Sequence, residues 1–277
     1  MIQDIAPRKL NNQYDPSAVV DAADRIVCLY EDAVLIKRGN ELDFPRYREL
    51  PDSADKKDFT YLFSVDTERY FLYRKGKANA AEDCRYLSLK DFRNISMEPQ
   101  YRVYALYTAK HLADWYRDNA FCGRCGKKMY HSDTERCMVC DCGNHSYPRI
   151  MPAVIVGVIN GDKILLTRYR TGFGHNALIA GFTEIGETFD ECVEREVMEE
   201  AGVRVKNIRY YKSQPWGTAN DILAGFYCDV DGDDTISMDS SELRFAQWVK
   251  REDIELQPNN YSLTNEMMTM FKDGAVL

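Results

Sequence analysis

Apolar and polar positions alternate along much of the first hundred residues. Tyr61, Phe63 and Val65, then Tyr70, Leu72 and Tyr73, mark half-buried antiparallel strands. The segments RIVCLYED, AVLIKRG, FTYLFSVD, ERYFLYRKG and RYLSLKDF accordingly read as short strands joined by polar turns. From Glu98 to Asn119 the period becomes helical, with Ala105, Leu106, Ala109, Leu112, Ala113 and Tyr116 on one face. After a cysteine-rich stretch, the apolar runs Ala153 to Ile159 and Lys163 to Tyr169 flank Asn160-Gly161-Asp162, a hairpin signal. Asn207 to Ser213, Asp221 to Val230 and Glu242 to Val249 read as strands, and Thr264 to Phe271 as a closing helix.

Between the strand-like Ala177 to Ala180 and Asn207 lies GFTEIGETFDECVEREVMEEAGV, from Gly181 to Val203. Thr188 and Glu191 have the form of a capping box, and Phe189, Val193 and Val197 recur every fourth residue as an apolar stripe. Gly202 sits where a helix stops. Glu196, Glu199 and Glu200 then share one face, with Glu187 in the loop before it. Like charges at that spacing disfavour the helix unless a cation offsets them. A cluster of carboxylate oxygens suits hard divalent ions such as Mg²⁺ or Mn²⁺, which neutralise pyrophosphate and activate water.

Composition narrows the class. The 277 residues are 45% hydrophobic, enough for two folded domains and a small module, and the net charge of −8 argues against broad binding to nucleic acid or anionic membrane. The start, MIQDIAPRKL, lacks a charged-then-apolar leader and no apolar run is long enough to span a bilayer, so a cytoplasmic protein is expected. Five of the nine cysteines crowd between Cys122 and Cys142, which points to metal binding in a reducing compartment rather than to disulfides. Cys28, Cys84, Cys192 and Cys228 are scattered and read as small buried hydrophobes.

Cys122 and Cys125 form a C-x2-C knuckle, and Cys137, Cys140 and Cys142 supply the second half of a zinc ribbon. Cys137 and Cys140 have the usual spacing but no following glycine, whereas Cys140 and Cys142 precede Gly143 at one residue less. The expected ligands are Cys122, Cys125, Cys140 and Cys142, with Cys137 as the alternative. Residues 119–150 hold five Lys or Arg against three Asp or Glu, a thin basis for nucleic-acid recognition, so a structural zinc clip is expected. His131 and His145 in the same module read as surface residues.

The string from Gly181 to Val203 satisfies G-x5-E-x7-R-E-U-x-E-E-x-G-U, with U aliphatic, and so resembles the signature of the Nudix hydrolases. The resemblance implies an α/β/α sandwich with a mixed sheet, and a loop-helix-loop in which Glu196, Glu199 and Glu200 bind Mg²⁺ or Mn²⁺. Arg195 would hold the glutamates by salt bridge, and Glu187 would assist the metal site or the catalytic water. The order of a first domain, a linking helix, a four-cysteine ribbon, YPRIMP at Tyr147 to Pro152, the Nudix string and SQPW at Ser213 to Trp216 is similar to that of the NADH pyrophosphatases.

That closer resemblance implies a rudimentary Nudix-like domain over residues 1–97, a linking helix over 98–119, a zinc ribbon over 120–149 and a catalytic Nudix domain over 150–277. It implies cleavage of NADH or NAD⁺ into nicotinamide mononucleotide and AMP by a homodimer, with removal of NAD caps from RNA as a further activity. Phe182 and Tyr147 match positions that stack a flat ring, Glu135 and Glu242 match acidic positions near substrate or metal, and Gln214 and Trp216 belong to SQPW. The general base is to be found among Glu187, Glu199 and Glu242. The family's SQPWPFPxS reads SQPWGTAND here. That departure keeps open another nucleoside diphosphate substrate, such as ADP-ribose or a dinucleoside polyphosphate. A ligand-sensing regulator that binds nucleic acid through the ribbon is the more distant alternative.

Overall fold

The computed structural model describes residues 1–50, 54–79, 82–90, 97–171 and 174–276. The chain divides into two compact units, one of residues 2–149 and 217–220, the other of Met1, 150–216 and 221–277.

The unit built mainly from the first half begins with β1 (Leu10–Asn11), which the pattern did not announce; RIVCLYED forms two strands, β2 (Arg25–Val27) and β3 (Leu29–Tyr30), and the other runs give β4 (Ala33–Lys37), β5 (Phe59–Val65), β6 (Glu68–Tyr73) and β7 (Cys84–Ser88). Asp91 and Phe92, the end of RYLSLKDF, lie outside the described residues. One sheet has the order β1-β5-β6-β2 and another β3-β4-β7. Ile26, Cys28, Leu35, Phe59 and Phe71 meet in the core between them. Helix α1 (Gln100–Asp118) follows, burying Ala105, Leu106, Ala109 and Ala113 on the expected face and Val103 and Tyr107 on the opposite one. The ribbon contributes β8 (Tyr130–His131), β9 (Met138–Val139) and β10 (His145–Ser146), in the order β10-β9-β8. His145 is exposed, but His131 is half-buried with its ring 4.9 Å from that of Tyr116, a departure from the expected surface position. The loop 217–220 also belongs here. A Cβ on Gly217 would stand 2.0 Å from the Tyr107 carbonyl oxygen, so any other residue would have to displace helix backbone.

The second unit is a six-stranded mixed sheet of β11 (Met151–Asn160), β12 (Lys163–Tyr169), β13 (Ile179–Phe182), β14 (Val205–Trp216), β15 (Asp221–Val230) and β16 (Leu243–Lys250). The order is β14-β15-β11-β12-β16, with β13 also paired to β11. The expected hairpin forms, Asn160 pairing with Lys163 across Gly161 at φ 60°. β11 runs parallel to β15 and antiparallel to β12 and β13.

Helices cover both faces. Val193, Val197 and Ala201 of α2 (Phe189–Ala201) pack on Val154, Val156, Val158, Leu165 and Ile179, while Leu263, Met267 and Phe271 of α3 (Leu263–Lys272) pack on Ile155, Ile164 and Leu166. The unit is therefore the expected α/β/α sandwich. Val193 and Val197 are fully buried, each contributing about 1.5–3 kcal/mol of burial. Phe189, expected on the same stripe, is 39% exposed and leans on the Phe226 ring at 5.9 Å, because the first turn of α2 overhangs the sheet core. Cys28, Cys84, Cys192 and Cys228 are all buried free thiols. Among the described residues no helix is long and apolar enough to cross a membrane.

Candidate active site

Two local devices start and stop the glutamate helix. The Thr188 hydroxyl accepts from the Glu191 N–H at 3.3 Å while the Glu191 carboxylate accepts from the Thr188 N–H at 2.8 Å, which closes the capping box. At the other end Gly202 takes φ 70° and donates to the Met198 carbonyl at 3.0 Å. Between them the apolar stripe fixes which way α2 is rolled. Glu196 and Glu200 consequently point to the strand end at Gly181, and Glu199 points to solvent.

Arg195 organises the loop and the helix. A guanidinium has five N–H donors, and five oxygens receive them. Nε donates to Glu187 at 2.7 Å; Nη1 donates to Glu196 at 2.7 Å and Glu199 at 3.0 Å; Nη2 donates to Glu187 at 2.9 Å and to the Phe182 carbonyl at 2.9 Å. Glu187 also accepts the Glu184 N–H at 2.9 Å, tying the loop to itself. The Arg195 guanidinium, with this loop N–H, holds the Glu187 carboxyl down at about 2.

Gly181 makes room for the array. A Cβ there would stand 1.9 Å from the Glu196 carboxylate, so a side chain and this carboxylate cannot coexist.

Burial acts in the opposite sense on the inner pair. It raises the pKa of Glu196 despite Arg195, and it takes Glu200, 3% exposed, to about 8, with the charges of Glu196, Glu242 and Asp239 adding to burial and a bond from the Ala180 N–H opposing it. Glu200 Oε2 is buried with no hydrogen-bond partner among the described residues. An unpartnered, buried, acidic oxygen beside other carboxylates is a place where a divalent cation lowers the energy. The donor set fits such an ion. Glu196 and Glu199 each spend one oxygen on Arg195 and keep another, and Glu200 completes an all-oxygen group suited to Mg²⁺ or Mn²⁺.

The structure thus brings Glu187, Arg195, Glu196, Glu199, Glu200 and Glu242 together. Phe182, 49% exposed, joins them through its carbonyl. Trp216 is half-buried against the α3-side core. Gln214 is fully buried, donating to the Tyr261 carbonyl at 2.7 Å and accepting the Leu263 N–H at 2.6 Å, so its amide anchors the start of α3. Tyr147 and Glu135 belong to the other unit, where the Tyr147 hydroxyl donates to Glu135 at 2.9 Å. Sequence reasoning missed Tyr169 and Asp239, both within electrostatic reach of the glutamates. Nothing in their local sequence marks them.

In the ribbon the Sγ atoms of Cys122, Cys125, Cys140 and Cys142 all lie within 4.8 Å of one another, with Cys122 to Cys142 at 3.7 Å and Cys125 to Cys140 at 3.5 Å. Four thiolates about 2.3 Å from a tetrahedral ion stand roughly 3.8 Å apart, which these spacings match. Each knuckle ends on a left-handed glycine: Gly126, φ 73°, donates to the Cys122 carbonyl, and Gly143, φ 79°, to that of Cys140. Desolvation pushes the Cys122 thiol up, but N–H bonds from Cys125 and Arg124 and the neighbouring thiols bring it down to about 6. Cys137 is buried outside the cluster, its Sγ donating to the Met138 carbonyl.

Residues 149–269 match the family described as NUDIX domain. A protein of Escherichia coli O9:H4 (strain HS) named "NAD-capped RNA hydrolase NudC" is 43% identical over 151 residues, which cover 53% of this chain and 58% of that protein. A protein of the same name from Escherichia fergusonii matches to the same extent. The chain therefore spans little more than half the length of these relatives. Among solved structures, a NUDIX hydrolase from Nitrosomonas europaea is 20% identical with a TM-score of 0.49, over 55% of this chain and 90% of that one.

Proposed function

We propose, from the match of residues 149–269 to the family described as NUDIX domain, that this chain is a divalent-metal-dependent hydrolase that cleaves the pyrophosphate of NADH or NAD⁺ to nicotinamide mononucleotide and AMP, and that it also removes NAD caps from RNA. The observation that carries the reading is the carboxylate array on Arg195, with Glu200 buried and partly unpartnered at its centre. The name of the 43%-identical relatives supports the substrate class.

Glu196, Glu199 and Glu200 would hold the catalytic Mg²⁺ or Mn²⁺, which when bound neutralises the pyrophosphate and lowers the pKa of water. The protein's own residues do the rest. Arg195 keeps the glutamates in register, Gly181 leaves space for Glu196, and the exposed Phe182 ring offers a stacking face for a flat base. The base that takes a proton from the attacking water would be one of Glu187, Glu199 and Glu242, of which Glu187 has both oxygens engaged by Arg195. Cys122, Cys125, Cys140 and Cys142 would hold a structural Zn²⁺.

The division into residues 1–97, 98–119, 120–149 and 150–277, and operation as a cytoplasmic homodimer, belong to the same proposal; light scattering on the purified protein checks the dimer. The loop 217–220 favours a second reading of the substrate alone. It carries GTAN where a dinucleotide pocket was expected to continue, so ADP-ribose or a dinucleoside polyphosphate is the alternative.

Product analysis with NADH and Mg²⁺ or Mn²⁺, with and without chelator, decides between them. Reduced nicotinamide mononucleotide plus AMP, lost with chelator and lost in Glu199→Gln, is the expected result. Cleavage of ADP-ribose but not NADH would establish the alternative. Full metal-dependent activity in Glu199→Gln would remove the assignment of that residue.

A further inference from the structure

The unit that holds the ribbon contains a cavity of about 840 Å³, none of whose walls comes from the carboxylate unit. Small-molecule sites have volumes of this order. Three parts of the fold build it. Lys110, Asp114 and Arg117 recur at helical spacing, so one polar stripe of α1 forms a wall. The end of β6 delivers Arg74, and the turn after β3 delivers Glu31 and Asp32. The ribbon closes the other side with Lys128, Tyr130 and His131.

The charges on these walls are unequally matched. Asp114 is held by Lys110 at 2.6 Å and by Arg117 at 3.0 Å, and Asp32 faces Lys90 at 3.7 Å. Arg74 and Lys128 form no ion pair among the described residues. Arg74 spends one N–H on the Lys57 carbonyl and keeps the others. Two cations without a carboxylate, in a chain of net charge −8, call for an anion with several oxygens.

The remaining groups call for a flat, polar ring. Tyr130 is exposed, and no other ring or cation covers its face among the described residues. An open aromatic face of this kind stacks a heterocycle. His131 rests one face of its ring on Tyr116 at 4.9 Å, and its nitrogens have no hydrogen bond among the described residues. Burial, and then the charge of Arg74, hold its pKa below the ordinary value, so the imidazole is neutral and offers one donor and one acceptor. The Tyr116 hydroxyl, on the same wall, is buried without a partner among the described residues.

We propose that this cavity is a nucleotide-binding site, separate from the carboxylate array, in which Arg74 and Lys128 hold a phosphate and Tyr130 stacks the base, with His131 and Tyr116 facing the polar atoms of the ligand. Inorganic phosphate would use only the cations, and a nucleoside only the ring and the neutral donors. A nucleoside monophosphate uses both.

The test is titration calorimetry of the full chain with AMP, adenosine and inorganic phosphate in buffer free of Mg²⁺ and Mn²⁺. AMP is expected to bind with a Kd below about 1 mM, and adenosine and phosphate each at least about tenfold more weakly. The double variant Arg74→Ala/Lys128→Ala should weaken AMP binding about tenfold or more, and Tyr130→Ala about tenfold. Phe182→Ala, in the carboxylate unit, should leave it within about twofold. All three ribbon-unit side chains exchanged are exposed, so Tm should hold within about 2 °C. Absence of AMP binding at about 5 mM, or phosphate binding as tightly as AMP, would overturn the inference. So would AMP binding that is unchanged in the double variant and in Tyr130→Ala but lost in Phe182→Ala, since the nucleotide would then sit in the carboxylate unit. Metal-dependent cleavage is read by a separate assay and stands or falls independently.

Discussion

Replacing Arg195 by methionine keeps the buried stem and removes the guanidinium, leaving four partners to be accounted for. Glu199 is 61% exposed, and its loss costs only about 0–1 kcal/mol because water replaces the cation. The Phe182 carbonyl borders solvent and is rehydrated. Glu196, 12% exposed, cannot be rehydrated so readily, and a charged hydrogen bond of this kind is worth about 1.5–3 kcal/mol. The 27% exposure of Arg195 itself screens the pair, which keeps the total near 2–3 kcal/mol rather than the 3–5 of a fully buried pair. At about 2–4 °C per kcal/mol, Tm in Mg²⁺-free buffer should fall by roughly 4–12 °C, measured by scanning calorimetry. The pH dependence adds a second signature. Glu187 has its folded pKa depressed to about 2 from 4.5, so its pairing stabilises the fold above about pH 4.5 and is lost as pH falls through 2. The gap between wild type and Arg195→Met should therefore narrow on going from pH 5 toward pH 3. A variant melting within 1 °C of wild type at pH 7, or a gap that widens on acidification, would refute the argument that the guanidinium holds the glutamates together.

Gly181→Ala should lower kcat at least about a hundredfold while the protein still folds, because the added methyl displaces the Glu196 carboxylate rather than the core; steady-state kinetics with circular dichroism checks both halves. Glu200→Gln should raise Tm by a few degrees in Mg²⁺-free buffer, since a neutral amide replaces a buried carboxylate with an unpartnered oxygen, and should abolish the rise in Tm that Mg²⁺ gives the wild type. Cys125→Ser should lose bound zinc and melt earlier, whereas Cys137→Ser should retain it; zinc content by elemental analysis separates the two.

The features readable in advance were local ones. The capping box, the stop at Gly202 and the glutamate spacing depend on residues within a few positions of one another, and α2 forms with those boundaries. The strands and α3 followed from period alone. What escaped depends on partners distant in the chain. Gln214 shows nothing in its neighbourhood to announce that it will be buried under the start of α3. The second knuckle lies between these cases. Its spacing left Cys137 as the rival of Cys142, and the left-handed turn at Gly143 brings Cys142 round while Cys137 stays in the core. Phe189 kept the helical period yet lies 39% exposed, because period says which face it shares but not how far the sheet beneath extends.

The parallel pairing of β11 with β15 has a consequence for how the chain is made. Met151 meets Asp221, so the central strand gains this neighbour only after the glutamate helix and three further strands have been synthesised. At ribosomal rates of about 5–20 residues per second, that interval lasts roughly 4–14 seconds. Throughout it, the β-branched run Ala153 to Ile159 presents an open edge, the kind of segment that pairs with a second nascent chain. The same strand that centres the finished sheet is thus the most aggregation-prone part of the unfinished one, and chains interrupted before Asp221 should be found in the insoluble fraction.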